Sequence, residues 1–183
     1  MEPLPHTELT TERLLLRPVV ADDVPQVVRI LNNEAVTDWL ESIPRPYSRE
    51  KGLEFLSFAN TSWETGNEYV FAITPLRSES LVGIIGLKQF FGGVGEPGYY
   101  LDPACWGKGF MSEAVQSLLQ WGFKDLSNER MQARHLKGND ASARVLLKSG
   151  FEYTGKTEKA HSVAMGRDVC RLWMELKRER FLA

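Results

Sequence analysis

One stretch constrains the fold of this 183-residue chain more than any other. From Leu101 through Asp102-Pro103-Ala104-Cys105-Trp106-Gly107-Lys108-Gly109-Phe110 to Met111-Ser112-Glu113-Ala114, a strand pattern gives way to glycines, and the glycines to a helix pattern. A strand that feeds a helix through glycines aims successive backbone N–H groups at one spot, where the helix dipole adds positive potential. The stretch reads as an anion site, phosphate above all, although a tight strand-to-helix turn alone would also use glycines. It contains neither G-x-x-x-x-G-K-S/T nor G-x-G-x-x-G, because Gly107 and Gly109 are followed by Ser112, which excludes a Walker A loop and a dinucleotide fingerprint. Eight of the 15 glycines fall between Gly83 and Gly109, so the unusual backbone extends upstream of the loop.

The elements around this stretch follow from hydrophobic spacing. Residues 12–19 alternate Leu14 and Leu16 against Arg13, Leu15 and Arg17, a strand that Pro18 ends or places at an edge. Asp22 and Asp23 open a helix with Val24, Val27, Val28 and Leu31 at helical spacing. After an irregular segment broken by Pro44 and Pro46, Ser48 caps a second helix carrying Leu53, Leu56, Ala59 and Trp63. Residues 69–74 and 81–89 are β-rich, residues 92–95 read as a turn, and residues 99–101 as a short strand. Met111, Ala114, Val115, Leu118 and Gly122 then form one helix face. A strand at 130–136, a helix from Asn139 that Gly150 stops, and strands at 151–157 and 169–176 complete the chain. The order β-α-α-β-β-β-α-β-α-β-β predicts the α/β class, an α+β mixed sheet with helices on both faces, in one domain spanning residues 1–183.

Composition excludes several classes. With 22 basic against 24 acidic residues the net charge is −2, which gives no bulk attraction to nucleic acid or to a membrane surface. No run of about 18 apolar residues is present, and residues 1–10 lack a basic stretch followed by an apolar one, so a cytoplasmic protein is expected. Two cysteines, Cys105 and Cys170, are too few for a disulfide scaffold, and no Cys/His cluster points to a metal.

Several motifs together carry a resemblance. Glu96-x-Gly98-Tyr99-Tyr100-Leu101-Asp102-Pro103-x-x-Trp106-Gly107-Lys108-Gly109-Phe110, then Ser112-Glu113-Ala114-Val115, then Asn139-x-x-Ser142 with Gly150-Phe151, resemble the GNAT acetyltransferase superfamily. Within it the chain is most similar to the Rim-type ribosomal-protein N-terminal acetyltransferases, down to the Thr11-Glu12-Arg13-Leu14-x-Leu16-Arg17 opening. The resemblance implies a central, mostly antiparallel sheet with one splayed parallel strand pair. It also implies acetyl-CoA as cosubstrate, with no metal: the pyrophosphate on Trp106, Gly107, Lys108, Gly109, Phe110, Met111 and Ser112, and the pantetheine arm beside Tyr99, Tyr100 and Leu101. Asn139 matches an amide contact to that arm, and is also a helix cap or turn residue. Trp106 departs from the usual Gln or Arg, and Met111 from a small residue, so a Met111 side chain turned to the loop would crowd the cofactor.

Acetyl transfer from a thioester to an amine requires a neutral amine, a donor to the developing oxyanion and a proton for the leaving thiolate. Glu96 matches the family's carboxylate for the first task, although a loop glutamate beside Pro97 is the plainer reading of it. His135, alternating with Met131 and Ala133 toward the cleft, is a reserve that also reads as a core histidine. The backbone N–H of Leu101 or Tyr100 serves the second task, and Ser142 the third, unless it only caps a helix. Cys105 carries no signature of an acetyl-cysteine intermediate, and Glu113 serves the helix dipole. Trp39, Tyr47, Phe90, Phe91 and Tyr100 are candidates for an acceptor pocket.

The expected activity is direct N-acetylation of a primary amine, by resemblance a protein or peptide N-terminus. The alternatives are a small-molecule amine (an amino acid, a polyamine or an antibiotic) and a catalytically degenerate acyl-CoA-binding module. Neither nucleic acid nor membrane is an expected partner, and an exposed sheet edge leaves pairing into a homodimer open.

Overall fold

The computed structural model describes residues 7–78 and 80–183. The elements are β1 (Leu9–Thr10), β2 (Leu14–Pro18), α1 (Val24–Leu31), α2 (Glu34–Thr37), α3 (Arg49–Thr65), β3 (Glu68–Pro75), β4 (Gly83–Phe90), β5 (Val94–Leu101), α4 (Phe110–Lys124), β6 (Arg130–Leu136), α5 (Asp140–Lys148), β7 (Glu152–Ser162), β8 (Arg167–Lys177) and α6 (Arg178–Leu182). The eight strands form one sheet in the order β1-β2-β3-β4-β5-β6-β8-β7. Neighbours run antiparallel except β5 and β6, which run parallel.

That parallel pair is short: Val94 faces Arg130 and Gly95 faces Met131, and the strands then part. The cause is legible in the backbone. Antiparallel pairing alternates the side to which a residue's main-chain groups point. Asp102 N–H bonds Val82 C=O at 2.8 Å and Gly93 C=O accepts from Glu129 N–H at 2.8 Å, so even-numbered residues of β5 address β4 and odd-numbered ones address β6. Pro97 is odd-numbered and has no N–H to give, so the ladder to β6 stops one step after Gly95. Beyond it, Tyr99 and Leu101 keep their N–H groups pointed into the gap.

The two faces of the sheet are covered differently. On one, α4 and α5 pack over a core that crosses the whole sheet, with Leu16, Phe71, Ile85, Met131 and Met174 fully buried. Trp63, Tyr69, Phe71 and Trp121 meet there edge to face at ring distances near 5 Å, an arrangement that adds to simple area burial. On the other face, α1, α2 and α3 cover only the β3–β4 side, through Val27, Ile30, Ala59, Val70 and Ala72. The second core includes no residue of β6, β7 or β8, which leaves that face open where the strands part.

The sequence expectations differ from the structure in four places. Gly95 lies inside β5, which starts at Val94, and the turn is confined to 91–93, where Gly92 and Gly93 take φ of 80° and 70°. The last two strands, 11 residues each, form a longer hairpin than the apolar alternation marks, because β7 is exposed along most of its length. The one-turn helix α2 and the terminal α6 are too short to show a period. The two-residue β1, paired with β2, is too short to show an alternation.

Candidate active site at the parted strands

At the C-terminal end of β5 the chain turns through Pro103–Cys105 into the loop before α4. Gly107 and Gly109 adopt φ of 73° and 79°, a conformation that any side chain would strain. A methyl group at Gly107 would meet nothing within 4 Å, so the backbone there is open to close approach. Gly109 caps α4 without a side-chain hydrogen bond, leaving the first-turn N–H groups for an anion. Trp106 donates its indole N–H to Leu101 C=O at 2.9 Å, fixing the loop to the end of the strand. Arg13 Nη1 bonds Lys108 C=O at 2.9 Å, and its guanidinium lies over the Phe110 ring. Glu113 in turn accepts from Arg13 N–H at 2.9 Å, from Arg13 Nε at 2.7 Å and from the Thr11 hydroxyl. Burial works against its ionisation, but these donors outweigh burial and hold its carboxyl below the usual range. The residues present fit a diphosphate: an unobstructed Gly107, first-turn helix N–H groups without a side-chain cap, and the Arg13 guanidinium beside Gly109.

The gap beyond Pro97 leads from this loop. Tyr99 turns toward α5, where its hydroxyl lies 3.0 Å from Ser142 Oγ. Burial pushes the Tyr99 phenol up to about 12, with Ser142 pulling the other way, so it stays protonated at neutral pH and can donate. Asn139 accepts from Ser142 N–H through Oδ1 at 3.1 Å and is the cap of α5. Glu96, on the opposite face of β5, is 9% exposed and receives Gln132 Nε2 at 2.8 Å and Arg134 Nη1 at 3.0 Å. Both partners come from β6, so the carboxylate bridges the two strands where they part.

Residues 13–152 match the family described as Acetyltransferase (GNAT) domain. The chain belongs to the GNAT acetyltransferase family. A curated relative, the uncharacterized N-acetyltransferase p20 of Bacillus licheniformis, is 29% identical over 174 residues, 93% of this chain and 97% of that one. Among solved structures, spermidine N-acetyltransferase from Vibrio cholerae in complex with CoA and spermine superposes with a TM-score of 0.80 at 19% identity, over 94% of this chain and 100% of that one. Ribosomal-protein-S5-alanine acetyltransferase from Vibrio fischeri gives 0.77 at 20% identity, over 96% and 98%. At these identities the two structures establish a shared fold.

As a GNAT acetyltransferase the chain uses acetyl-CoA, and the residues named from sequence divide into those that meet at the parted strands and those that do not. Tyr99, Leu101, Trp106, Gly107, Gly109 and Ser142 surround the gap and the loop, and Lys108, Phe110 and Ser112 belong to the loop itself. Tyr100 N–H addresses β4 by the alternation above, whereas Leu101 N–H points into the gap. Met111 is buried in the core under α4 and turns away from the loop, so it does not crowd the cofactor. His135 does not face the gap: it is 7% exposed, with Nδ1 3.0 Å from Leu136 C=O and Nε2 2.9 Å from the Tyr153 hydroxyl, so neither ring nitrogen is free for a base. Phe90 and Phe91 lie at the β4–β5 turn, the opposite end of β5 from the cofactor loop. Burial raises the Cys105 thiol, which disfavours the thiolate that an acetyl-cysteine would need.

Three contacts were missed from sequence. The Tyr99–Ser142 pair and the Arg13–Glu113 tie join residues 43 and 100 positions apart, beyond any local pattern. Glu68, the first residue of β3, shares a face with Glu96, and its only sequence signal is its place before an apolar run.

Proposed function

We propose that the enzyme transfers the acetyl group of acetyl-CoA directly to a primary amine, that of a protein or peptide N-terminus. The observation that carries this reading is the two-residue parallel pairing of β5 with β6, which leaves the N–H groups of Tyr99 and Leu101 unpaired beside an anion loop. On this reading Trp106, Gly107, Lys108, Gly109, Phe110, Met111 and Ser112 receive the pyrophosphate through main-chain N–H groups. Tyr99 pairs with a pantetheine amide and Leu101 lies alongside the arm, with Asn139 as a further contact. Leu101 N–H stabilises the oxyanion that forms as the amine attacks the thioester carbon. The C–S bond then breaks, and the thiolate takes a proton from Ser142, which Tyr99 holds at 3.0 Å. Glu96, fixed between Gln132 and Arg134, draws the acceptor's ammonium group to the opening.

A small-molecule amine is the second reading, favoured by the two carboxylates, Glu68 and Glu96, that share the open face. A single experiment separates these from an acyl-CoA-binding module: CoA release is followed with a panel of N-terminal peptides, amino acids and polyamines. Turnover with peptides carrying the free α-amine, and none with N-blocked peptides or polyamines, is expected. Polyamine turnover alone would replace the acceptor class, and silence with every acceptor despite acetyl-CoA binding would establish the module.

A further inference from the structure

Two glycines face each other in the centre of the sheet. Gly86 of β4 and Gly98 of β5 are direct partners, on the face that α1 and α3 cover only in part. Gly98 is exposed although it lies mid-strand with paired neighbours, and a methyl group there would meet nothing within 4 Å. A methyl group at Gly86 would lie 3.1 Å from Glu68 Oε1, so the Glu68 carboxylate leans across β4 toward that space. Glu68 is paired with Lys88, which is paired with Glu96, so one row across three strands carries two carboxylates around the opening.

The two carboxylates are not equivalent. Glu96 has a donor on each oxygen. Glu68 is half-buried, yet accepts no hydrogen bond and forms no salt bridge among the described residues. Burial raises its carboxyl above the ordinary value; Lys88, its cross-strand partner, opposes the rise and Glu96 adds to it. A carboxylate already satisfied by two donors is a poor proton acceptor, whereas an unsatisfied one beside a like charge gains from protonation.

We propose that the acceptor amine enters over Gly98 and that Glu68 is the catalytic residue that removes its proton. This rests on the acetyltransferase reading above and deepens it. The ammonium gives one proton to Glu68, directly or through one water, and the neutral nitrogen forms the C–N bond. The C–S bond breaks, the nitrogen's second proton is lost as the amide forms, and the thiolate leaves as the thiol. Glu68 returns its proton to solvent through the opening. Glu96, held by Gln132 and Arg134, keeps the ammonium in place.

Glu68→Gln is expected to lower kcat on the best acceptor by about 100-fold, the usual worth of a general base, with acetyl-CoA affinity by calorimetry within about twofold of wild type. The acid limb of the kcat profile is expected to disappear in Glu68→Gln and to persist in Glu96→Gln. Gly98→Val, which places a β-favouring side chain in open space, is expected to abolish turnover while the fold and acetyl-CoA binding remain. Turnover of Glu68→Gln or Gly98→Val within about threefold of wild type, or an acid limb retained in Glu68→Gln, would overturn the proposal. If no acceptor elicits CoA release from the wild type, the acetyltransferase reading fails by itself. The opening is then read by binding of butylammonium and spermidine: binding lost in both variants supports it, and no binding in the wild type overturns it.

Discussion

Glu113 shows how far one residue's role depends on contacts that lie far away in sequence. From sequence it is an acidic residue in the first turn of α4, well placed for the helix dipole. In the fold its carboxylate receives the Thr11 hydroxyl, the Arg13 N–H and the Arg13 guanidinium, and so ties the β1–β2 edge to the cofactor loop. Because the folded carboxyl lies below its ordinary 4.5, its contribution to stability is complete above that pH and is lost as pH falls through the folded value. Glu113→Gln should therefore lower stability at pH 7 by about 1–2 kcal/mol, the low end for hydrogen bonds to a charge because Arg13 is half exposed. Denaturant unfolding at pH 7 and below pH 4 checks this: the gap between variant and wild type should shrink on acidification, and a gap independent of pH would discount the charge. The glycines of the same loop were readable because positive φ leaves its mark on residue type at the position itself. Glu68 left no such mark, since its meaning comes from strand register across Lys88 to Glu96.

At the scale of elements, periodicity located each longer helix and strand, and what it missed was set by pairing. The opening strand ends at Pro18 as its alternation implies, and α4 buries Ala114, Val115 and Leu118 on the face that the spacing marks. The start of β5 was hidden because Gly92, Gly93 and Gly95 look like one turn, whereas Gly95 is a strand residue kept small by Met131 and Leu87. The parting of β5 from β6 has a local cause, Pro97, that was present in the sequence but has no meaning until the side its N–H would face is known. Pro97→Ala restores a donor on that side and lets the parallel ladder compete with a ligand for the gap. Acetyl-CoA affinity, measured by calorimetry, should fall by several-fold. Hydrogen exchange should show new protection on β6 beyond Met131 in the unliganded enzyme, and unchanged protection and affinity would mean that the gap is held open by packing instead.

In the molecule as a whole, a β1–β5 half-sheet and a β6–β8 half-sheet meet along a seam of two paired residues. On one face α4, α5 and a continuous core bind the halves together. On the other no helix crosses, and the bridge is the segment between α2 and α3, which reaches the β7–β8 hairpin. Val163 N–H bonds Glu41 C=O at 2.8 Å, Arg45 Nη2 bonds Ala164 C=O at 2.9 Å, and Arg171 holds the Glu41 carboxylate through Nε at 2.7 Å. This staple spans the open face on which the acceptor is proposed to arrive, while the cofactor loop belongs to the other end of β5. The two substrates thus depend on different ties, and a lesion in one should spare the other. Arg171→Met keeps the length of the side chain's stem and removes its charge, leaving Glu41 unpaired. It should cost about 3 kcal/mol of stability, as the loss of one partner of a largely buried pair does, and raise the acceptor KM several-fold. Acetyl-CoA affinity should stay within about twofold of wild type, because Glu113, Arg13 and Trp106 hold the loop without help from this side. Calorimetry with acetyl-CoA beside steady-state kinetics in the acceptor reads both quantities. A parallel loss of both affinities would mean that the staple positions the whole cleft, and an unchanged acceptor KM would remove the segment from the acceptor site.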